Sequence, residues 1–316
     1  MSSHSCPVIK VKLEPHPNAD SLALVKYGGF TLVVKKDEWR DDDLAVHIEE
    51  DYVVPKTEVF SFLGDKTRIK PRKFRGIYSD GILIKAPDGS KEGDNLIDFF
   101  GIKRYDPAVE ISFRGDNESG PGGNWPKYDV EGFKKYSDWF VSGEEIIATE
   151  KIHGASARYL WQDGRMFVGS RTNWKTESEK DPWWRALKQC PWIEKWCKEH
   201  EGYALYGEIY GAVQKFRYGH LNGEISLRVF DIRKGREWLS HDEARELGKD
   251  LFWVPIIYRG PLSVDQLLEL IEKDSIIGGT GHIMEGCVIS PVMERETPEG
   301  DRVKLKLVSK RYMEKS

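Results

Sequence analysis

The chain has 316 residues, enough for one large or two ordinary domains, and 39% of them are hydrophobic and 12% aromatic, enough to bury real cores. A formal net charge of −4 argues against a protein that coats nucleic acid over its whole surface, but not against one that gathers its cations locally. No apolar run is long enough to span a bilayer, so no membrane partner is expected. Met1 to Cys6 lacks the charged-then-apolar layout of a signal peptide. Cys6, Cys190, Cys197 and Cys287 show no C-x-x-C spacing. They read as reduced, unpaired thiols of an intracellular, cytoplasmic protein, with a nuclear location left open, rather than as zinc ligands or disulfides.

In chain order, Val8 to Leu13, Ala23 to Tyr27, Phe30 to Lys35, Leu44 to Ile48 and Gly81 to Ile84 alternate or run apolar. Asn18-Ala19-Asp20, Gly28-Gly29 and Asp41-Asp42-Asp43 punctuate them. Residues 1–100 are therefore expected to form an all-β module, most simply a small barrel. The basic run from Lys66 to Arg75 lies within it. It reads either as a solvated hairpin or as phosphate contacts from Lys66, Arg68, Lys70, Arg72, Lys73 and Arg75.

Residues 101–128 read as a linker, because Arg114 to Gly123 is rich in Gly, Pro and polar residues. Asp129 to Phe140 has the spacing of a short amphipathic helix, and a second domain is expected over 129–316. Within it the motif segments are strand-like. Three helices intervene, over Trp183 to His200 with a break at Pro191, over Asp242 to Leu247, and over Val264 to Lys273 with Ser263 as N-cap. The tryptophans of the first helix read as core by default, with a base-stacking platform as the other reading.

The ordered motifs of this second block are the chemical signal. Lys151-Ile152-His153-Gly154 follows the apolar run Glu145 to Glu150. Ser170-Arg171-Thr172, Tyr206 to Gly211 and Val229-Phe230-Asp231-Ile232 come next. Glu285-Gly286-Cys287-Val288-Ile289 and Lys304-Leu305-Lys306 close the series. A lysine amine attacks only when neutral, so a nucleophilic Lys151 needs burial or neighbouring positive charge, which Lys304, Lys306 and a metal ion would supply. Lys304 and Lys306 fall on one side of a strand. Phe230 is a candidate for stacking on a base, and a core strand phenylalanine is the competing reading.

This motif set resembles that of the covalent nucleotidyltransferases: ATP-dependent RNA ligases, DNA ligases and mRNA capping enzymes. With His in the first motif it looks most like the RNA ligases that seal nicks in duplexes. His16 to Leu22 followed by Gly28 to Val34 resembles the OB-fold modules of tRNA-binding proteins and the amino-terminal domain of one RNA ligase family. The resemblance implies an α+β chain, with an N-terminal OB-type β-barrel followed by an adenylyltransferase domain of antiparallel sheets with flanking helices. It implies ATP and Mg²⁺ or Mn²⁺ as cofactors, AMP carried covalently on Lys151, and a monomer acting on nicked duplex RNA or an RNA/DNA hybrid.

Residue by residue, the resemblance puts Glu150 and Ile152 at the base and His153 at a phosphate oxygen. Gly154 would lie where the backbone approaches the nucleotide. Ser156 stands where the family often has Asn or Arg on the ribose, with Arg158 nearby to compensate. Arg171 would bind the AMP phosphate and the 5′-phosphate end, and Glu208 the ribose 2′-hydroxyl. Phe230 would lie on the adenine, and Glu285 would hold the metal. DNA ligases and capping enzymes use Lys-x-Asp-Gly and place the OB module after the transferase domain, an order this chain reverses. A non-catalytic OB-type RNA-binding protein is the remaining alternative, against which the intact set of Lys151, Arg171, Glu208, Glu285, Lys304 and Lys306 argues.

Overall fold

Residues 4–105 and 116–315 are described by the structure, a computed structural model. It divides into two compact units, one of residues 1–107, 133–137 and 313–316, the other of 108–132 and 138–312.

The first unit is built of short antiparallel strands. Val8–Lys10, Leu44–Ile48 and Ile82–Lys85 form one sheet, and Leu13–Pro15, Leu22–Tyr27 and Phe30–Lys35 another. The run expected as one strand from Val8 to Leu13 is thus divided between two sheets. The break has a cause: Val11 pairs with the Asp42–Asp43 turn at 2.8 Å, and Leu13 N donates to the Asp41 carboxylate at 2.8 Å. A strand that changes sheets is how a small barrel turns its corner. Phe30–Lys35 alternates buried and half-buried residues up to the exposed Lys35, and Ile9, Val25, Leu32 and Ala45 share one buried cluster. Arg72–Phe74 and Ile77–Ser79 form a separate hairpin.

The segment 133–137 belongs to this unit. Lys134 reaches Glu50 at 2.6 Å and Asp80 at 3.2 Å, while its carbonyl accepts from Gly29 N at 3.0 Å. In place of the helix expected from Asp129 to Phe140 stand the strand Glu131–Gly132, a single α-turn Phe133–Tyr136 and a 3₁₀ turn Ser137–Trp139. Of the linker expected over 101–128, residues 106–115 lie outside the described residues. Its flanks are paired, Lys103–Arg104 with Tyr52–Val53 and Asn117–Glu118 with Trp174–Lys175.

The second unit holds two sheets. Among the described residues the larger has seven strands, with Arg165–Ser170, Ala155–Gln162, Tyr203–Gly211 and Ile225–Lys234 at its centre. The smaller contains Leu305–Val308, Gly286–Pro291, Glu145–Lys151 and Ile256–Pro261 in that order. The helices Pro182–Gln189 and Trp192–Glu199 flank the larger sheet, broken at Pro191 as expected. Trp183, Trp184 and Trp196 are buried in the same cluster as Tyr159, Leu205 and Leu227, so the tryptophan stripe is core. The helix Val264–Ile271 does begin after Ser263, but that side chain makes no capping bond. Ser240, ahead of His241–Leu247, supplies a capping box with Glu243 instead.

Candidate active site

Lys151 ends the strand Glu145–Lys151 and stands opposite Gly286, the first residue of the neighbouring antiparallel strand. Sheet register therefore brings Glu285, distant in sequence, beside the lysine. The Lys151 ammonium pairs with Glu285 Oε1. Gly286 has a φ of 152°, and a Cβ there would stand 2.1 Å from the Leu307 carbonyl oxygen, so this approach admits only glycine.

His153 lies on the other side of the carboxylate. Its Nδ1 is 3.6 Å from Glu285 Oε2, beyond hydrogen-bonding length, and shares a 2.7 Å hydrogen bond with the Tyr312 hydroxyl. Its backbone N donates to the Tyr218 hydroxyl at 2.6 Å. Glu285 Oε2 is buried and makes no hydrogen bond with any described residue. Burial opposes ionisation of Glu285, but Lys151 and, after it, His153 together outweigh burial and hold the carboxyl below its ordinary value.

Glu208 pairs across the larger sheet with Ser156 and accepts a hydrogen bond from Gly154 N. Burial, with help from the Glu285 charge and against that of Lys151, pushes its carboxyl up to about 8. Ser156 Oγ is buried with no partner among the described residues, and its carbonyl accepts from Trp183 Nε1 at 2.9 Å. A Cβ on Gly154 would meet the Ile209 carbonyl oxygen at 2.1 Å. Packing of one strand on the next thus already demands this glycine.

Two expected ligand residues are engaged with the protein itself. The buried Glu150 carboxylate is held by Ser275 Oγ and by Ile276 N at 3.0 Å. It anchors the loop at 275–278 rather than presenting a free carboxylate. Arg158 is 3% exposed. Its Nε donates to Ser170 O at 2.9 Å and its Nη1 to Trp125 O at 2.7 Å, and the guanidinium lies 4.4 Å over the Trp174 ring. Only Nη2 has no partner among the described residues.

Ile152 and Phe230 come together in one apolar cluster with Tyr210, Tyr218 and Val254. Phe230 gets there through a β-bulge. Tyr206 pairs with Asp231 while the next residue, Gly207, pairs with Val229, so Phe230 is left without a partner in the ladder. A bulge is a recognised way to re-aim one side chain beside a site. Phe230 also lies 4.5 Å from the Tyr128 ring, so it serves both readings given above, half core and half open.

Lys304 is paired with a buried carboxylate. Its Nζ bonds Asp231 Oδ2 at 2.7 Å, and Arg302 forks onto the same carboxylate at 2.7 and 3.1 Å. The Tyr128 hydroxyl donates to it at 2.7 Å. Burial opposes ionisation of Asp231, yet Arg302 and then Lys304 hold it far below the usual carboxylate range. Burial, and after it the charge of Arg302, pushes Lys304 below its ordinary value. In this arrangement the charge of Lys304 is met by Asp231.

Arg171 is exposed and faces Asp129 at 3.4 Å. Lys306 also bears on Asp129 through its charge. Sequence reasoning missed Tyr218, Tyr312, Tyr128 and Arg302. Only Arg302 had a signal, since it stands two residues before Lys304 in the sequence.

Of the basic run in the first unit, Arg68 is engaged with Asp51 at 2.7 Å and stacked 3.7 Å over Tyr105. Lys70 is half-buried, whereas Lys66, Arg72, Lys73 and Arg75 are exposed. Among the described residues no group of three or more His, Cys, Asp or Glu side chains is arranged to hold a metal ion. The carboxylates at Lys151 are Glu285 and Glu208.

The RNA ligase family model matches residues 144–308, more than half of the chain, and an OB-fold domain model matches residues 7–86. The fold is similar to that of Naegleria gruberi RNA ligase in several solved structures. A mutant with ATP and Mn is 21% identical, with a TM-score of 0.82 over 99% of both chains. A mutant with AMP and Mn is 22% identical, with a TM-score of 0.80 over 98% of both. The form with PPi is 22% identical, with a TM-score of 0.79 over 98% of this chain and 97% of that one. No match was found among curated protein sequences.

Proposed function

We propose, from the premise that the chain belongs to the RNA ligase family, an ATP-dependent ligase that joins a 3′-hydroxyl to a 5′-phosphate at nicks in duplex RNA or an RNA/DNA hybrid. The observation that carries this reading is Lys151 paired with Glu285 and flanked by His153 and Glu208. A primary amine held among carboxylates at a strand end is a nucleophile kept in place. The Naegleria gruberi structures with ATP, AMP and PPi support adenylyl transfer as the chemistry.

The reaction has three displacements. Lys151 Nζ loses a proton and attacks the α-phosphorus of ATP; an N–P bond forms and the bond to pyrophosphate breaks. An oxygen of the 5′-phosphate then attacks that phosphorus, and the N–P bond breaks, leaving an adenylated 5′ end. The 3′-hydroxyl attacks the 5′-phosphate, loses its proton, and expels AMP. Ile152 and Phe230 receive the base, Glu208 the ribose 2′-hydroxyl, and His153 and Arg171 phosphate oxygens. Arginine suits the last task because its planar fork engages two oxygens at once.

Mg²⁺ or Mn²⁺ fits the donor set, because a hard cation needs one or two carboxylates and keeps several waters, and Glu285 Oε2 is buried without a hydrogen bond. Bound there it supplies the positive charge that favours a neutral amine and offsets charge on the transferring phosphate. Asp231 positions Lys304, and Lys306 extends the cationic edge. The barrel unit grips the nucleic acid and the other unit carries the chemistry, in a monomer.

The test is sealing of matched nicks whose 3′-hydroxyl strand is RNA or DNA. Sealing confined to the RNA 3′ end is expected. Equal sealing of an all-DNA nick would contradict the reading.

A further inference from the structure

The hairpin Arg72–Phe74/Ile77–Ser79 closes through Arg75 and Gly76, with φ of +46° and +94°. Both central residues in the left-handed region make a type I′ turn, where Asn-Gly or Gly-Gly is the ordinary choice. Arginine at the first position is strained, and two side chains hold it there. Asn18 Nδ2 donates to the Arg75 carbonyl at 2.9 Å. His16 is 6% exposed; its Nδ1 accepts from Asn18 N at 3.1 Å, which leaves Nε2–H to donate to the Phe74 carbonyl at 3.2 Å. The His16-Pro17-Asn18 motif thus holds this turn in shape. Strain retained at a surface turn by buried support is characteristic of a functional position.

What the turn presents is unusual. Phe74 is 37% exposed, and Arg72, on the same strand face, is exposed with it, as are Lys73 and Arg75. Among the described residues no carboxylate pairs with Arg72 or Arg75. In a chain of net charge −4, this is an exposed aromatic side chain with Arg72 beside it on the strand and Arg75 next to it at the turn. The geometry points to a stacking platform for an unpaired nucleotide of the RNA substrate: the base lies on Phe74 while Arg72 and Arg75 take the flanking phosphates. That chemistry suits a ligand that offers flat π-faces at intervals along a polyanion. A continuous duplex hides its base faces, so the platform serves an unpaired or frayed strand beside the break.

This rests on the ligase reading above and is tested so that the two can fail separately. The measurement is fluorescence anisotropy of a short labelled oligoriboadenylate, single-stranded and annealed to its complement. It is made with the full chain and with Phe74→Ala, Phe74→Trp and Arg75→Ala. Phe74→Ala is expected to weaken single-strand binding roughly five- to a hundredfold, with little change for the duplex, and Phe74→Trp to restore it. Arg75→Ala is expected to reduce the salt slope of log K by about 0.7. Single-strand binding unchanged in Phe74→Ala, or equally weak in Phe74→Trp, would overturn the platform while leaving nick sealing intact. A wild-type chain that neither binds RNA nor seals nicks would overturn both.

Discussion

Lys151 and Lys304 belong to one motif set, yet they sit in opposite surroundings. The Lys151 side chain is 26% exposed and paired with a carboxylate that has one oxygen to spare. That of Lys304 is 11% exposed and shares a carboxylate with Arg302 and Tyr128. The first arrangement is loose in charge, since a cation or phosphate arriving at Glu285 changes the partner of the lysine. The second is closed. Asp231, Arg302, Lys304 and Glu294 balance one another, and removing Asp231, the carboxylate that Arg302 and Lys304 share, leaves buried positive charge. Residues grouped by motif thus divide into those that react and those that hold.

Substitutions that separate these roles come first by size. Lys151→Ala is expected to lower transfer of AMP to the protein by ~10⁴-fold or more, with only a small shift in melting temperature. Asp231→Ala reverses the pattern. It leaves Arg302 and Lys304 without their shared carboxylate and is expected to cost about 3–5 kcal/mol of stability in urea unfolding. An Asp231→Ala protein as stable as the wild type would remove the distinction.

Lys304→Met sharpens the comparison. Arg302 and Tyr128 still hold Asp231, so unfolding free energy is expected to change by under about 2 kcal/mol. Nucleotidyl transfer is expected to fall roughly a hundredfold. Equal losses in both would make Lys304 structural alone.

A further effect is on pH dependence. Glu208 has a carboxyl raised from 4.5 to about 8. A raised folded value means its contribution to stability is full below 4.5 and is lost as pH climbs to about 8. Glu208→Gln is expected to flatten the fall in stability between these values, measured by urea titrations across that range. An unaltered slope would place the ionisation elsewhere.

Much of this was legible in the chain. Hydrophobic alternation located Phe30–Lys35 and the strand leading to Lys151, and Pro191 marked the helix break. The pairing of Lys151 with Glu285 follows once both flank paired strands. What stayed hidden depends on contacts between distant segments. No local pattern says that the Glu150 carboxylate faces Ser275, that Lys134 packs with Glu50 and Asp80, or that a bulge turns Phe230 out of the ladder. Nor does spacing reveal that Lys304 meets Asp231, because a strand face names neighbours along the chain and not across the fold. His16 and Asn18 were visible as a motif, but their targets at Phe74 and Arg75 were not.

The measurement that bears most directly on the account is transfer of label from α-labelled ATP, with Mg²⁺, to denatured protein, beside α-labelled GTP and the Lys151→Ala chain. The account predicts acid-labile label from ATP alone, absent in Lys151→Ala. Label that persists without Lys151, or that comes from GTP, or a folded wild-type chain that takes no label, would contradict it.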